Sequence, residues 1–319
     1  MKRKKVLSRP LSWRLFPLVV LLLFLFFLPG QSYYATLQLV PEAPLVRASE
    51  LDYFKPSKYP LNTGYENPPL ISALSAVVTD SESGVMLFSL NPQEKLRPAS
   101  ITKLMTALVA LEYYPASQIL TVRRLAPANG ESEMGLAVGD KVSVQNLIYG
   151  LLVPSGNDAA YTLADNYPGG IENFIYSMNK KAADLHMNNT HFENPSGIDS
   201  LYHLSTARDI SLLTIQALQD PLISRAVATY GITLADATGK KFYPVKNVNK
   251  FLGYLYGADG VKTGFTDLAG ECLVASVSRN GHRIISVVLN SRDRFGDSSR
   301  LQEWAYRNFT WIDPYETKN

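Results

Sequence analysis

The chain has 319 residues, 46% of them apolar, with 31 Lys and Arg against 28 Asp and Glu for a net charge of +3. That is ample apolar material for a sizeable core. Lys2, Arg3, Lys4, Lys5, Arg9 and Arg14 all fall before any acidic residue, so the rest of the chain is mildly acidic and lacks the clustered positive charge that a nucleic-acid partner requires.

The cationic start runs into Leu15-Phe-Pro-Leu-Val-Val-Leu-Leu-Leu-Phe-Leu-Phe-Phe-Leu28, and no charged residue follows before Glu42. Residues 1–30 therefore read as an export signal, either a cleaved signal peptide or a retained anchor in the cytoplasmic membrane. The apolar run is long for the first and short for the second, and Gly30-Gln-Ser32 is a passable cleavage site, so both stay open. Either way, everything downstream is expected to lie outside the cytoplasm. Residues 31–70 contain Pro41, Pro44, Pro56, Pro60, Pro68 and Pro69 and read as an extracytoplasmic linker.

Order is expected from Ala73–Thr79, which with the Asp80–Gly84 turn and Val85–Ser89 makes a β-hairpin. Helical spacing follows at Ile101, Leu104, Met105, Leu108 and Val109, then at Leu147, Leu151 and Leu152, with helical stretches over Val144–Val153 and Asp158–Tyr167. A second hairpin is expected over Glu271–Ser278, the Arg279-Asn-Gly281 turn and Arg283–Leu289, and a last helix carries Leu301, Trp304, Ala305 and Phe309. Strands from both ends with a helical insertion between them make an α+β body over residues 71–312, with 313–319 as a tail. Cys272 is the single cysteine, so it forms no intrachain disulfide and reads as a small core hydrophobe. His186 and His191 lack metal-ligand spacing, and no phosphate-cradling loop follows a strand, so no metal or cofactor is expected.

Three short strings carry chemistry, in this order: Ser100-Ile-Thr-Lys103, Ser155-Gly-Asn157 and Lys262-Thr-Gly264. Ser100 opens a helix, and Lys103 lies one turn on along the same face, so its amine can approach the hydroxyl. To serve as base that amine must be neutral, which calls for burial and a nearby positive charge, with Lys262 as the candidate. The Ser100 N–H at the helix start can face a developing oxyanion. Ser155 and Asn157 follow Pro154 between two helical stretches, in a loop able to project a hydroxyl and an amide into a cleft. Gly264 would permit close approach of another backbone. In isolation each string has an ordinary explanation: a helix cap, a helix connector, or a charged edge strand. Ser177-Met-Asn179-Lys180 satisfies two of the patterns inside a helical run with no partner motif around it. The order of all three strings is what an accident does not produce.

These strings resemble the motif set of class A β-lactamases and penicillin-binding proteins. Together with Arg97-Pro98-Ala99, Asn194-Pro-Ser-Gly-Ile198, His203-Leu-Ser-Thr-Ala-Arg-Asp209 and Asp259-Gly-Val261, they resemble in particular the serine-type D-alanyl-D-alanine carboxypeptidases, from about Pro68 to Trp311. The resemblance implies a β-lactamase-like fold, a mainly antiparallel sheet flanked by helices with an all-helical region beside it. It implies that Ser100 attacks the terminal D-Ala–D-Ala bond of a peptidoglycan stem peptide in cell-wall remodelling, and that β-lactams acylate the same serine. Ser155 would relay the proton to the leaving amine, Asn157 would hold a substrate amide, Lys262 and Thr263 would bind the substrate carboxylate, and the Phe265 N–H beyond Gly264 would complete the oxyanion hole. Phe265 stands where some relatives have His. Arg292 and Arg294 fall near the place where relatives put a carboxylate-binding Arg, and the chain ends soon after its last helix where many relatives continue. A class A β-lactamase would offer Ser-Asp-Asn and a deacylating Glu in an E-x-x-L-N setting, whereas only Glu172 and Glu193 lie between Asn157 and Lys262. A peptidoglycan endopeptidase would use the same residues, and a membrane-tethered cell-wall binding protein is the non-enzymatic alternative.

Overall fold

The computed structural model describes residues 58–127 and 132–312, with Pro17, Leu18, Val20, Leu21 and Leu23, which are helical. The rest of the export segment, the first part of the linker and the tail lie outside the described residues. Among the described residues no helix is long and apolar enough to cross a membrane.

The ordered body begins with β1 (Tyr59–Asn62), β2 (Ser75–Asp80) and β3 (Met86–Leu90), followed by α1 (Lys103–Tyr113), β4 (Ile119–Thr121) and β5 (Lys141–Ser143). Next come α2 (Val144–Leu152), α3 (Asn157–Asp165), α4 (Gly170–Asp184), α5 (Ala207–Gln219), α6 (Pro221–Val227) and the hairpin β6 (Gly231–Ala235) with β7 (Phe242–Lys246). The chain then returns through β8 (Ala258–Thr266), β9 (Gly270–Arg279), β10 (His282–Ser291), α7 (Arg294–Asn308) and β11 (Phe309–Ile312). The central sheet is antiparallel in the order β3-β2-β10-β9-β8. Strands from the two ends of the sequence are thus hydrogen-bonded neighbours, as the two-hairpin reading requires.

The central strands are continuously buried because both faces of the sheet are covered. Val77, Val274, Ile285 and Val287 point into the large core with α1, α2 and α5. Their chain neighbours Ala76, Val78, Leu273, Ala275, Ile284 and Val288 point the other way, against Leu301, Trp304 and Ala305 of α7. The two-residue alternation of a strand sorts each residue to its layer. Helix starts follow local chemistry: Ser143 accepts from the Asn146 N–H, Thr206 from the Asp209 N–H, and Asp220 caps a helix that begins with Pro221.

Two segments differ from the sequence expectation. Tyr59–Asn62, inside the proline-rich stretch, forms β1 against β11, in register Tyr59 with Ile312 and Asn62 with Phe309. Phe309 leaves the helical spacing it shares with Leu301 and Ala305, and α7 stops at Asn308. The side-chain oxygen of Asn308 accepts the Glu66 N–H at 2.5 Å, and the Trp304 indole donates to the Glu66 carbonyl at 3.1 Å. A pairing between chain ends leaves no trace in either local pattern.

Candidate active site

Ser100 sits in a 3-10 turn, Ala99–Thr102, that runs directly into α1. Its hydroxyl is not a helix cap; Ser100 Oγ lies 2.9 Å from Lys103 Nζ. α1 is buried at every position from Lys103 to Ala110, the pattern of a helix enclosed on all sides. Lys103 is enclosed with it, at 0% exposure. Loss of water disfavours the ammonium, and the charge on Lys262 adds repulsion, so Lys103 is held well below the usual lysine range against the opposing pull of Asp158.

A neutral amine has two hydrogens and one lone pair. The Asn157 side-chain oxygen at 2.8 Å and the Ser196 main-chain carbonyl at 3.0 Å can only accept, so they take both hydrogens. The lone pair is left facing Ser100 Oγ, which is the geometry of a general base.

Asn157 begins α3 and donates its main-chain N–H to the Ser132 carbonyl at 2.7 Å. The next residue, Asp158, is buried and accepts the N–H groups of Met134, Gly135, Leu136 and Ala159 at 2.8–2.9 Å. It thereby fastens the 132–136 wall to the head of α3. Ser155 has φ +67° and Ala99 φ +47°, left-handed conformations that cost a non-glycine residue of order 1–3 kcal/mol and persist where packing fixes them. Ser155 is buried, and the Lys103 amine is bonded to Ser100, Asn157 and Ser196 rather than to it.

The Ser196 carbonyl is presented by a loop that Asn194 organises, accepting the N–H groups of Ser196, Gly197 and Ile198 and donating to the Ile198 carbonyl at 2.9 Å. Gly197 has φ +84°, and a Cβ there would stand 1.9 Å from the Ala99 carbonyl oxygen. Only glycine lets this loop close against the back of the turn that carries Ser100.

Lys262 and Thr263 lie within β8, an edge strand. An edge lysine ordinarily reaches into water, but Lys262 is 1% exposed, and its amine donates to the Thr263 carbonyl at 3.0 Å. Burial, helped by the positive charge of Arg294, lowers its pKa to about 7. A Cβ on Gly264 would lie 2.9 Å from the Pro98 carbonyl and 3.3 Å from the Ser100 nitrogen, so the strand and the Ser100 turn touch through backbone. Arg294 donates to the Gly264 carbonyl at 2.9 Å. Phe265 projects from the strand, 55% exposed.

A cleft of about 360 Å³ opens over these elements, lined by Ser100, Asn157, Ser196, Asp199, Phe265 and Asp267 among others. Ser155, Lys262 and Thr263 are buried, at 3%, 1% and 6% exposure. The look-alike Ser177 bonds to the Asn173 carbonyl within α4, and its Lys180 pairs with Asp184 on an exposed helix face. The sequence reading of the site omits the 196–199 segment and Ser132. The Asn194-Pro-Ser-Gly string was the available sign of the former; nothing in the sequence points to Ser132.

A model of the family described as D-alanyl-D-alanine carboxypeptidase matches residues 62–293. The chain is 33% identical over 265 residues to the D-alanyl-D-alanine carboxypeptidase DacF of Bacillus subtilis (strain 168), covering 80% of this chain and 68% of that protein. Among solved structures, the DD-transpeptidase of Streptomyces K15 superposes with a TM-score of 0.71 at 32% identity, over 76% of this chain and all of the other. Penicillin-binding protein D2 of Listeria monocytogenes, in its ampicillin-bound form, superposes with a TM-score of 0.67 at 32% identity, over 75% of this chain and 100% of that one.

Proposed function

The chain belongs to the D-alanyl-D-alanine carboxypeptidase family, and on that premise we propose how its residues remove the terminal D-alanine from peptidoglycan stem peptides. Its fold is that of the β-lactamase-like penicillin-binding proteins, and it is a serine-type hydrolase that also takes β-lactams. The observation that carries the assignment of roles is the buried Lys103 amine, 2.9 Å from Ser100 Oγ with both hydrogens committed elsewhere.

Ser100 Oγ attacks the carbonyl carbon of the penultimate D-alanine while its proton passes to Lys103 Nζ. The oxyanion is met by the main-chain N–H groups of Ser100 and Phe265. The C–N bond then breaks, a proton reaches the leaving D-alanine amine through Ser155, and water later hydrolyses the Ser100 ester. Lys262 and Thr263 hold the terminal carboxylate, and Asn157 steadies both the base and a substrate amide. The cationic, apolar N-terminus exports this body to the extracytoplasmic side, where peptidoglycan lies, and tethers it to the membrane if uncleaved.

The test is D-alanine release from a stem pentapeptide by the full chain, beside its Ser100→Ala variant. Release that disappears in the variant supports the assignment. Labelling by penicillin at Ser100 with no release directs the site to cross-linked peptides, and rapid β-lactam turnover directs it to β-lactamase chemistry. Neither reaction leaves a binding protein.

A further inference from the structure

Thr102 stands between the nucleophile and its base, and its side chain points away from the cleft. Its hydroxyl lies 2.8 Å from His203 Nε2, and both residues are buried, at 1% and 2% exposure. On the other side of the ring, the Glu193 main-chain N–H donates to His203 Nδ1 at 3.1 Å. A main-chain N–H can only donate, so Nδ1 carries no proton. The proton is on Nε2 and is given to Thr102. The ring is fixed in one tautomer and seated edge-on to Phe192, with centroids 5.6 Å apart.

Glu193 begins the segment that surrounds the base. Two residues on, the Pro195 carbonyl accepts from Thr106 of α1 at 2.6 Å, and the next carbonyl, that of Ser196, accepts from Lys103. His203 is thus a strut between the turn that holds Ser100 and the strand of chain whose Ser196 carbonyl determines where the Lys103 lone pair points.

We propose that His203 is a positioning residue for acylation: it touches neither substrate nor reacting atoms, but fixes the Ser196 carbonyl relative to the nucleophile turn, so that the Lys103 lone pair faces Ser100. The assignment rests on the Ser100–Lys103 chemistry proposed above. With the ring removed, the Thr102 hydroxyl and the Glu193 N–H lose their buried partners, and the segment can shift by part of an ångström. A shift of that size matters little for binding and much for proton transfer.

The test follows acylation of the full chain by a fluorescent penicillin over a range of concentrations, so that the rate at saturation separates from the half-saturating concentration. Wild-type labelling comes first, and its absence would remove the underlying reading rather than this one. In folded His203→Ala the saturating rate should fall about 10- to 100-fold, with the half-saturating concentration nearly unchanged. His203→Gln, whose amide can still donate to Thr102, should recover a large part of the rate. Thr102→Val keeps the shape of its site but cannot accept from the ring, so it should reproduce the loss without removing the ring, and it carries the test if His203→Ala does not fold. Wild-type saturating rates in folded His203→Ala, or in Thr102→Val, would overturn the proposal. So would a loss confined to the half-saturating concentration, or one that His203→Gln does not relieve.

Discussion

The Ser196 carbonyl oxygen stands 3.0 Å from the Lys103 amine across a gap of 93 residues in sequence. With Asn157 on the second hydrogen, that contact leaves the lone pair of a neutral Lys103 one free direction, toward Ser100. The proposed base therefore depends on where a main-chain carbonyl lies, as well as on which side chains are present.

Replacement of Lys103 by Arg keeps a cation of similar length but one that does not deprotonate. Acylation by penicillin and D-alanine release should both fall about 10²- to 10⁴-fold, the usual worth of a general base. Stopped-flow labelling at saturating penicillin measures this, and a near-normal rate would remove Lys103 from the role of base.

The pH profile of kcat/KM should carry two ionisations, those of Lys103 and Lys262. Its rising limb follows Lys103 losing its proton, at a pKa well below the usual lysine value. Its falling limb should lie near 7, where Lys262 gives up the charge that holds the substrate carboxylate. Lys262→Arg stays charged throughout, so D-alanine release by that variant should lose the falling limb whatever its absolute rate. A falling limb unmoved in Lys262→Arg would assign it to another group.

Stability should decline in acid partly through His203. Burial lowers the pKa of the ring from its ordinary 6.5 to about 4, so between those values the unfolded chain binds a proton that the folded chain refuses. The contribution is intact above the ordinary value and is lost as the pH falls to about 4, about 3 kcal/mol in all. Urea midpoints measured from neutral pH downward should fall more steeply in wild type than in His203→Gln, and parallel slopes would contradict this.

Asp158→Asn turns part of an acceptor into a donor facing main-chain N–H groups that already donate. The loss should be roughly 2–4 kcal/mol, since both the charge-assisted bonds and the satisfaction of buried donors suffer. Thermal unfolding reads it directly, and a variant as stable as wild type would mean that the 132–136 wall is held by something else.

Gly197→Ala places a methyl group against the Ala99 carbonyl at a positive φ, whereas Gly84→Ala has a similar φ of +70° but nothing within 4 Å. The second change should cost about 1 kcal/mol. The first should exceed it by several fold and lower acylation as well, because the displaced atoms belong to the nucleophile turn. Equal unfolding free energies for the two variants would show that the loop yields freely.

Much of the site could be read before any fold was known. The three strings named Ser100, Lys103, Asn157 and Gly264, and the structure brings these to one place. The requirement of a neutral lysine was legible from chemistry alone. Lys262 reads locally as an edge-strand residue, the kind that points into water. Its burial comes from elements remote in sequence that cover the strand, so no window around it reveals the lowered pKa. The β1–β11 pair was misread for a similar reason, because two four-residue segments at opposite ends of the body carry no pattern stronger than the prolines of one and the helical spacing of the other.

The sequence by itself determined the two-hairpin sheet, the central helix and the set of candidate side chains, since residue type and short-range periodicity are written locally. Tertiary structure alone decided which carbonyl faces Lys103, how deeply Lys262 is enclosed, and which tautomer His203 adopts. Every residue carries the same main-chain donor and acceptor, and burial is set by what packs from elsewhere, so neither quantity exists until distant segments meet.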